Sequence, residues 1–268
     1  MHNRALIAQL AALEVQGSNM TVGIATQPQM IRACETLCSY HVGGRNLAVL
    51  PDRSHTRHRS YLAAWNTITD QVIAAVPLID PYPISTRFGV ASEFDSRGLL
   101  SALQGWVVEL GTICVVPEYR GRPQILRRLI KELNAHFVRM NISHVITLGR
   151  VPRRLGDNTL QAIIGRARAS ATMPFLPVRP WVAHPSIEPD RSKPPRIPSS
   201  IKTWLRAGGI IHPVPSWNAS TNVAAFLMYM NVAAQPKLDS RRRPALRRLE
   251  CDINYEPEDR PFLACALK

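Results

Sequence analysis

The residues with the most chemical content lie in one run, Val115-Val-Pro-Glu-Tyr-Arg-Gly-Arg-Pro-Gln-Ile-Leu126. A β-branched apolar stretch ends at Pro117, an Arg-Gly-Arg turn follows, and a helical pattern begins at once. Backbone N–H groups in such a turn and at a helix start converge on one spot, where the helix dipole favours an anion. Gly121 lets the backbone approach that anion closely, and Arg120 and Arg122 add positive charge. Pro123 suits the first helical position, where no N–H is needed. Val115, Val116, Arg120, Gly121, Arg122 and Gln124 are the candidate binding residues, and the chemistry is that of a pyrophosphate or a phosphopantetheine phosphate. An ordinary strand-to-helix turn with exposed arginines is the competing reading of the same pattern.

Glu109 is the first candidate for proton transfer. It interrupts an apolar strand pattern six residues before Val115, and burial there would raise its pKa towards that of a general base. A structural carboxylate satisfied by a neighbouring Arg is the alternative. Cys114 lies near the end of the same stretch, but no His is paired with it in the sequence, so a packing thiol is expected. Cys34 and Cys38 are four apart, which places both on one face of a helix. The five cysteines include no CxxC pair, so no zinc site is expected and reduced thiols are. His55 and His58 lie three apart in a basic stretch with no third ligand, which reads as a solvated loop.

The elements around these residues follow from hydrophobic periodicity. Residues 27–40 place Ile31, Ala33, Leu37 and Tyr40 at helical spacing. Tyr61–Trp65 and Gln71–Ile79 read as strands joined by a turn over Asn66–Asp70. Trp106–Val116 reads as one central strand and Ile142–Leu148 as another. From Pro123 to Met140, Ile125, Leu126, Leu129, Ile130, Leu133, Phe137 and Val138 recur in steps of three and four. That spacing predicts an amphipathic helix with Arg127, Arg128 and Lys131 towards solvent. Eight prolines between 174 and 198 predict an extended, semi-rigid connector. Ile201–Arg206 resumes a helical pattern that Gly208-Gly209 stops, and Asn222–Val232 reads as a last strand. This order predicts an α+β fold, an α/β sandwich around a mixed, mostly antiparallel sheet. The expected organisation is a core over 1–172, a connector over 173–200, the end of the same fold over 201–236 and a basic tail over 237–268.

The run Glu109-Leu-Gly-Thr-Ile-Cys-Val-Val-Pro-Glu-Tyr-Arg-Gly resembles the signature of the GCN5-related N-acyltransferases (GNAT), in which a strand ends in a Val-x-Pro-x-x-Arg-Gly loop. More narrowly it is similar to the branch of ornithine-lipid N-acyltransferases, hemolysin-like proteins and long-chain N-acyl amino acid synthases, with acyl-homoserine-lactone synthases as more distant relatives. Ser92-Glu-Phe-Asp95 resembles that branch's Glu-Phe-Asp motif. Asp70–Ile79 and Ile197–Val232 resemble its earlier strand and its late block. The resemblance spans residues 60 to 232. Thr112 and Pro77 stand where the branch usually has Arg, Asn218 and Ala225 where it has Asp, and Arg122-Pro123 replaces a second Gly.

The resemblance implies a GNAT fold and transfer of a fatty acyl group from an acyl thioester to an amino-acid-like amine. The co-substrate is then an acyl-acyl carrier protein or acyl-coenzyme A, with no tightly bound cofactor. Such a reaction needs a general base for the amine and fixed donors for the oxyanion, commonly strand N–H groups. Glu93 and Asp95 join Glu109 as candidate catalytic residues on this ground, with helix capping before Leu99 as the other reading of Asp95. The departures motivate an alternative, a degenerate relative that binds an acyl carrier or another partner without turnover.

The formal net charge of +14 predicts an acidic partner. Acyl carrier protein is the first expectation and an anionic membrane surface the second. Nucleic-acid binding is a third possibility resting on charge alone, since no zinc-finger spacing, RNA-recognition signature or aromatic interleaving accompanies it. The first residues, with Arg4 before an apolar run broken by Gln9 and Glu14, read as a short amphipathic helix rather than a signal peptide. The longest apolar run, Val223–Met230, is too short to span a bilayer. The expected location is cytoplasmic, peripheral to the inner face of the membrane at most.

Overall fold

A computed structural model describes residues 19–43, 59–81, 89–169, 177–185 and 194–232. In chain order the elements are β1 (Met20–Ile24), α1 (Pro28–Gly43), β2 (Arg59–Asn66), β3 (Val72–Ile79), the one-turn α2 (Val90–Glu93), β4 (Phe94–Asp95) and α3 (Arg97–Ala102). β5 (Trp106–Leu110), β6 (Cys114–Val115), α4 (Pro123–Arg139), β7 (Ile142–Pro152) and α5 (Asp157–Ala169) follow. The last are β8 (Arg179–Pro180), α6 (Ser199–Arg206), β9 (Ile210–Ile211), β10 (Ser216–Asn218) and β11 (Val223–Asn231). The architecture is α+β, with a mixed and mostly antiparallel sheet flanked by helices. The chain divides into two compact units, one built from described residues up to 79 and from 112 to 138, the other from 80 to 111 and from 139 onward.

In the first unit β1 pairs antiparallel with β2, β2 with β3, and β3 with β6. The turn between β2 and β3 falls at Asn66–Asp70 as the polar segment predicts. Asn66 Oδ1 accepts from the N–H of Ile68 at 2.8 Å and of Thr69 at 3.3 Å, and Asp70 adopts a φ of 52°, a local Asx-type turn. Helix α1 packs on β2, β3 and β6 over a core of Ala25, Cys34, Cys38, Tyr61, Ala63, Ala75 and Cys114. Small strand residues let the helix sit close, which fits the low aromatic content. Cys34 and Cys38 do share the buried face of α1. The Cys38 thiol donates to the Cys114 sulfur, and Cys114 Sγ donates to the Thr112 carbonyl at 3.3 Å. Burial pushes the Cys34 thiol up to about 12. Helix α4 buries Ile125, Leu129, Leu133 and Phe137, in steps of four, whereas Val138 lies 78% exposed outside the apolar face to which its type assigns it.

In the second unit β5 pairs parallel with β7, β7 pairs antiparallel with β11, and β11 pairs with β10 and β9. β11 alternates between two cores. Ala224, Phe226 and Met228 face α5 and α6 with Leu160, Ile163 and Ile201, while Leu227 and Tyr229 face Val90, Phe94, Leu99 and Val107. Both faces are covered, so the strand reads as a continuous apolar run rather than an alternating one. Of the proline-rich connector, the described parts include β8, paired with β4, and Val178 and Ile197, each 7% exposed.

The single strand expected over Trp106–Val116 is two. The β5–β7 ladder ends at Leu110↔Thr147, where the Thr147 hydroxyl donates to the Leu110 carbonyl at 2.7 Å. Gly111, Thr112 and Ile113 belong to no strand, and pairing resumes with β6 on β3. Runs of β-branched residues do not reveal such a break. The N-terminal helix, the histidines 55 and 58, and the basic tail lie outside the described residues.

Candidate functional site

The turn predicted to hold an anion is built in the first unit. After β6, Pro117–Tyr119 form a single 3₁₀ turn, closed by the Tyr119 N–H donating to the Val116 carbonyl at 2.9 Å and the Arg120 N–H to Pro117 at 3.2 Å. Gly121 has a φ of +76°, and a Cβ at that position would meet nothing within 4 Å. Glycine is needed here for its backbone conformation rather than for packing. Helix α4 starts at Pro123, as the missing N–H predicts. Among the described residues the N–H groups of Gly121 and Gln124 have no acceptor. Arg120 folds back, its Nε donating to the Val115 carbonyl at 3.1 Å, and Arg122 lies 5.1 Å from the centre of the Tyr119 ring. Val115 and Val116 are half-buried below the turn, and the Val116 N–H donates to the Ile73 carbonyl at 2.9 Å. The six candidates thus form one local arrangement of partly open N–H groups and two guanidiniums at the start of a 17-residue helix. That arrangement can receive a phosphate. Cys114 is fully buried beneath it. Its pKa is lowered by the hydrogen bond from Cys38 and by the Arg120 charge.

The three candidate carboxylates gather in the second unit, around α2 and β4. Glu109, 5% exposed, accepts from the Val90 N–H at 2.9 Å and so caps the first turn of α2. Gly89, with a φ of +65°, leaves the space that its carboxylate fills. Glu93, the last residue of α2, is 7% exposed. Its Oε2 accepts from the Ser216 hydroxyl at 2.8 Å, and its Oε1 lies 3.5 Å from Nη1 of Arg150. Asp95 is held by one edge of the Arg97 guanidinium, with Nε donating to Oδ1 at 2.8 Å and Nη2 to Oδ2 at 2.6 Å. Hydrogen bonding from that guanidinium takes the Asp95 carboxyl down to about 2. Asp95 also accepts from the Arg97 N–H at 3.3 Å, just before α3, as a capping residue would, although the N-cap position itself is Ser96.

An open pocket of about 300 Å³ is lined by Ala91, Phe94, Asp95, Ser96, Arg97 and Trp181. Trp181 straps α2 to this wall. Its indole N–H donates to the Ala91 carbonyl at 2.8 Å and its backbone N–H to the Glu93 carbonyl at 3.0 Å. The sequence reading missed Arg150 and Ser216. A cationic residue inside the apolar strand β7 was the available signal for Arg150, whereas Ser216 gives none, since its role depends on strand pairing.

Residues 52–129 match the family model described as the acetyltransferase (GNAT) domain. No curated protein matches the sequence. Among solved structures, the aminoglycoside 6'-N-acetyltransferase from Enterococcus faecium is 13% identical, with 81% of this chain and 99% of that chain covered at a TM-score of 0.48. FeeM, an N-acyl amino acid synthase from uncultured soil microbes, is 9% identical over 80% of this chain and 92% of its own, with a TM-score of 0.48. The acyl-homoserine-lactone synthase LasI is 11% identical over 81% and 91%, with a TM-score of 0.46. At these values the likenesses assign neither donor nor acceptor. The stretch that matches the acetyltransferase domain contains both the Arg120–Gly121 turn and all three candidate carboxylates.

Proposed function

We propose that the chain is an N-acyltransferase of GNAT type that moves a fatty acyl group from an acyl thioester to an amino-acid-like amine. The carrying observation is the turn from Val116 to Gln124, where Gly121 at positive φ and the start of α4 aim N–H groups outward beside Arg120 and Arg122. That arrangement suits the phosphate of a phosphopantetheine arm or of coenzyme A, as the match over residues 52–129 also suggests. In the reaction the amine nitrogen attacks the thioester carbonyl, the C–N bond forms, the C–S bond breaks, and the amine proton leaves through a base while the thiol departs. Glu109 is the proposed base. Acyl carrier protein is the proposed macromolecular partner, drawn by the net charge of +14. The chain would then act in the cytoplasm, with an anionic membrane surface as a secondary attraction.

One observation favours a second reading, a binding protein without turnover. Each candidate carboxylate is already engaged: Glu109 by Val90, Glu93 by Ser216 and Arg150, and Asp95 by Arg97. Incubation with acyl-acyl carrier protein and acyl-coenzyme A donors plus a pool of amino acids, read by mass spectrometry, separates the two. An N-acyl product establishes transfer and removes the second reading. Saturable donor binding with no product establishes the second and removes the first.

A further inference from the structure

The registers of β7, β11 and β10 place Arg150, Ala225 and Ser216 side by side, since Arg150 pairs with Ala225 and Ala225 with Ser216. Residues directly opposite in a sheet share a face. The short side chain of Ala225 lets the Glu93 carboxylate bridge over it, with one oxygen on the Ser216 hydroxyl at 2.8 Å and the other 3.5 Å from Arg150. Glu93 and Ser216 are 7% and 1% exposed, so this support is fixed. The Arg150 side chain is 42% exposed. Among the described residues Glu93 is its sole partner, and one of its five N–H donors is used at the long limit of a hydrogen bond. β7 also lacks its β5 neighbour here, since that ladder ends at Thr147.

We infer that Arg150 is the anchor for the carboxylate of a zwitterionic, α-amino-acid-like acceptor, held in position by Glu93 and Ser216. The inference rests on the N-acyltransferase reading for its use but not for the binding itself. A planar guanidinium tethered by one Nη1 contact to Glu93 keeps an edge open for a second carboxylate in bidentate geometry. Given a carboxylate on Arg150, charge balance favours a zwitterion over a simple anion. With Glu93 at −1 and Arg150 at +1, a simple carboxylate leaves the cluster at −1 and a phosphate dianion leaves it at −2. An amino acid that binds with its amine protonated leaves it neutral. Glu93 is on this view a positioning residue rather than a base.

The test measures equilibrium binding of the proteinogenic L-amino acids and of their decarboxylated amines to the full chain, followed by transfer kinetics with an acyl thioester donor. Wild type should favour an amino acid over its matched amine by about 10- to 100-fold, the size of one charge-assisted pair. Arg150→Ala should bring that ratio close to one, mainly through KM, with Arg150→Lys in between. Glu93→Gln should raise the KM for the amino acid while leaving kcat nearly as it is, which a merely structural role would not do. Transfer with an undiminished preference in Arg150→Ala overturns the inference and leaves the acyltransferase reading standing. Amino-acid binding that Arg150→Ala abolishes, with no transfer by wild type, does the reverse. Neither binding nor transfer overturns both.

Discussion

At the scale of single residues, Glu109 can be tested by separating its two roles. Its carboxylate caps Val90, and a glutamine keeps a carbonyl oxygen in the same place while removing basicity. Glu109→Gln should therefore fold with nearly unchanged stability and lose most of its transfer activity, measured as single-turnover product formation. Full activity in that variant would remove Glu109 as the base and leave the cap as its function. Glu109→Ala instead leaves a buried N–H without a partner, which costs about 1–3 kcal/mol and should show as a lowered midpoint in urea. Asp95 carries a pH prediction. Its folded pKa of about 2 lies below that of an ordinary carboxylate, so its contribution to stability is present above the unfolded value and is lost as pH falls through about 2. The carboxyl carbon shift of Asp95 should stay constant through the usual carboxylate range and move only near that value. A midpoint near 4 would break the Arg97 pairing. Asp95 is also ill-suited as a base near neutrality, because a group ionised to so low a pH binds a proton weakly.

At the scale of elements, the sequence was most legible where a periodic pattern met a covered face. The buried steps of four in α4, the strands β2 and β3 with their Asn66 turn, and β11 all follow from residue spacing and turn chemistry. The break after Leu110 was not legible, because it lies in a change of pairing partner, from β7 before it to β3 after it. Helix α2 was equally hidden. Four residues give no periodicity, and it stands because Glu109 caps its first turn and Trp181 ties its carbonyls. The candidate site was legible in part for the same reason. Local motifs marked the Arg120–Gly121 turn, Glu93 and Asp95, whereas Arg150 and Ser216 depend on strand register. Gly89 tests the claim about α2. A Cβ there would overlap Glu109 Oε1 on a backbone with φ +65°, so Gly89→Ala must displace the carboxylate and also adopt a positive-φ conformation that L side chains rarely take. The second effect alone costs about 1–3 kcal/mol. A loss clearly above that backbone cost is expected by chemical denaturation, and a loss no larger than it would show that α2 does not depend on this cap.

At the scale of the whole molecule, the excess of positive charge sets which partners approach and how salt governs them. The sequence carries +14, and its run from Lys237 to Arg248 holds six cationic residues against one acidic one. Charge of this kind accelerates encounter with an oppositely charged partner and is screened within about 8 Å at physiological ionic strength. For an acidic acyl carrier protein, the association rate should fall about tenfold or more as salt rises from about 0.02 M to about 0.3 M, while the dissociation rate changes little. Replacing the five arginines between 241 and 248 by glutamine should lower the rate at low salt and flatten its salt dependence. The change should leave the dissociation rate nearly alone, because a diffuse attraction guides approach without making a fixed contact. Nucleic acid would behave differently. Binding through phosphate contacts gives an affinity that falls linearly in log–log form with a slope set by the number of contacts, and it would compete with the carrier for the same charges. Stopped-flow or surface-based kinetics with acyl carrier protein and with a DNA duplex at matched ionic strength decide between them. A carrier on-rate independent of salt would remove electrostatic steering as the reason for the charge, whereas duplex binding that displaces the carrier at moderate salt would shift the purpose of the basic residues to nucleic acid.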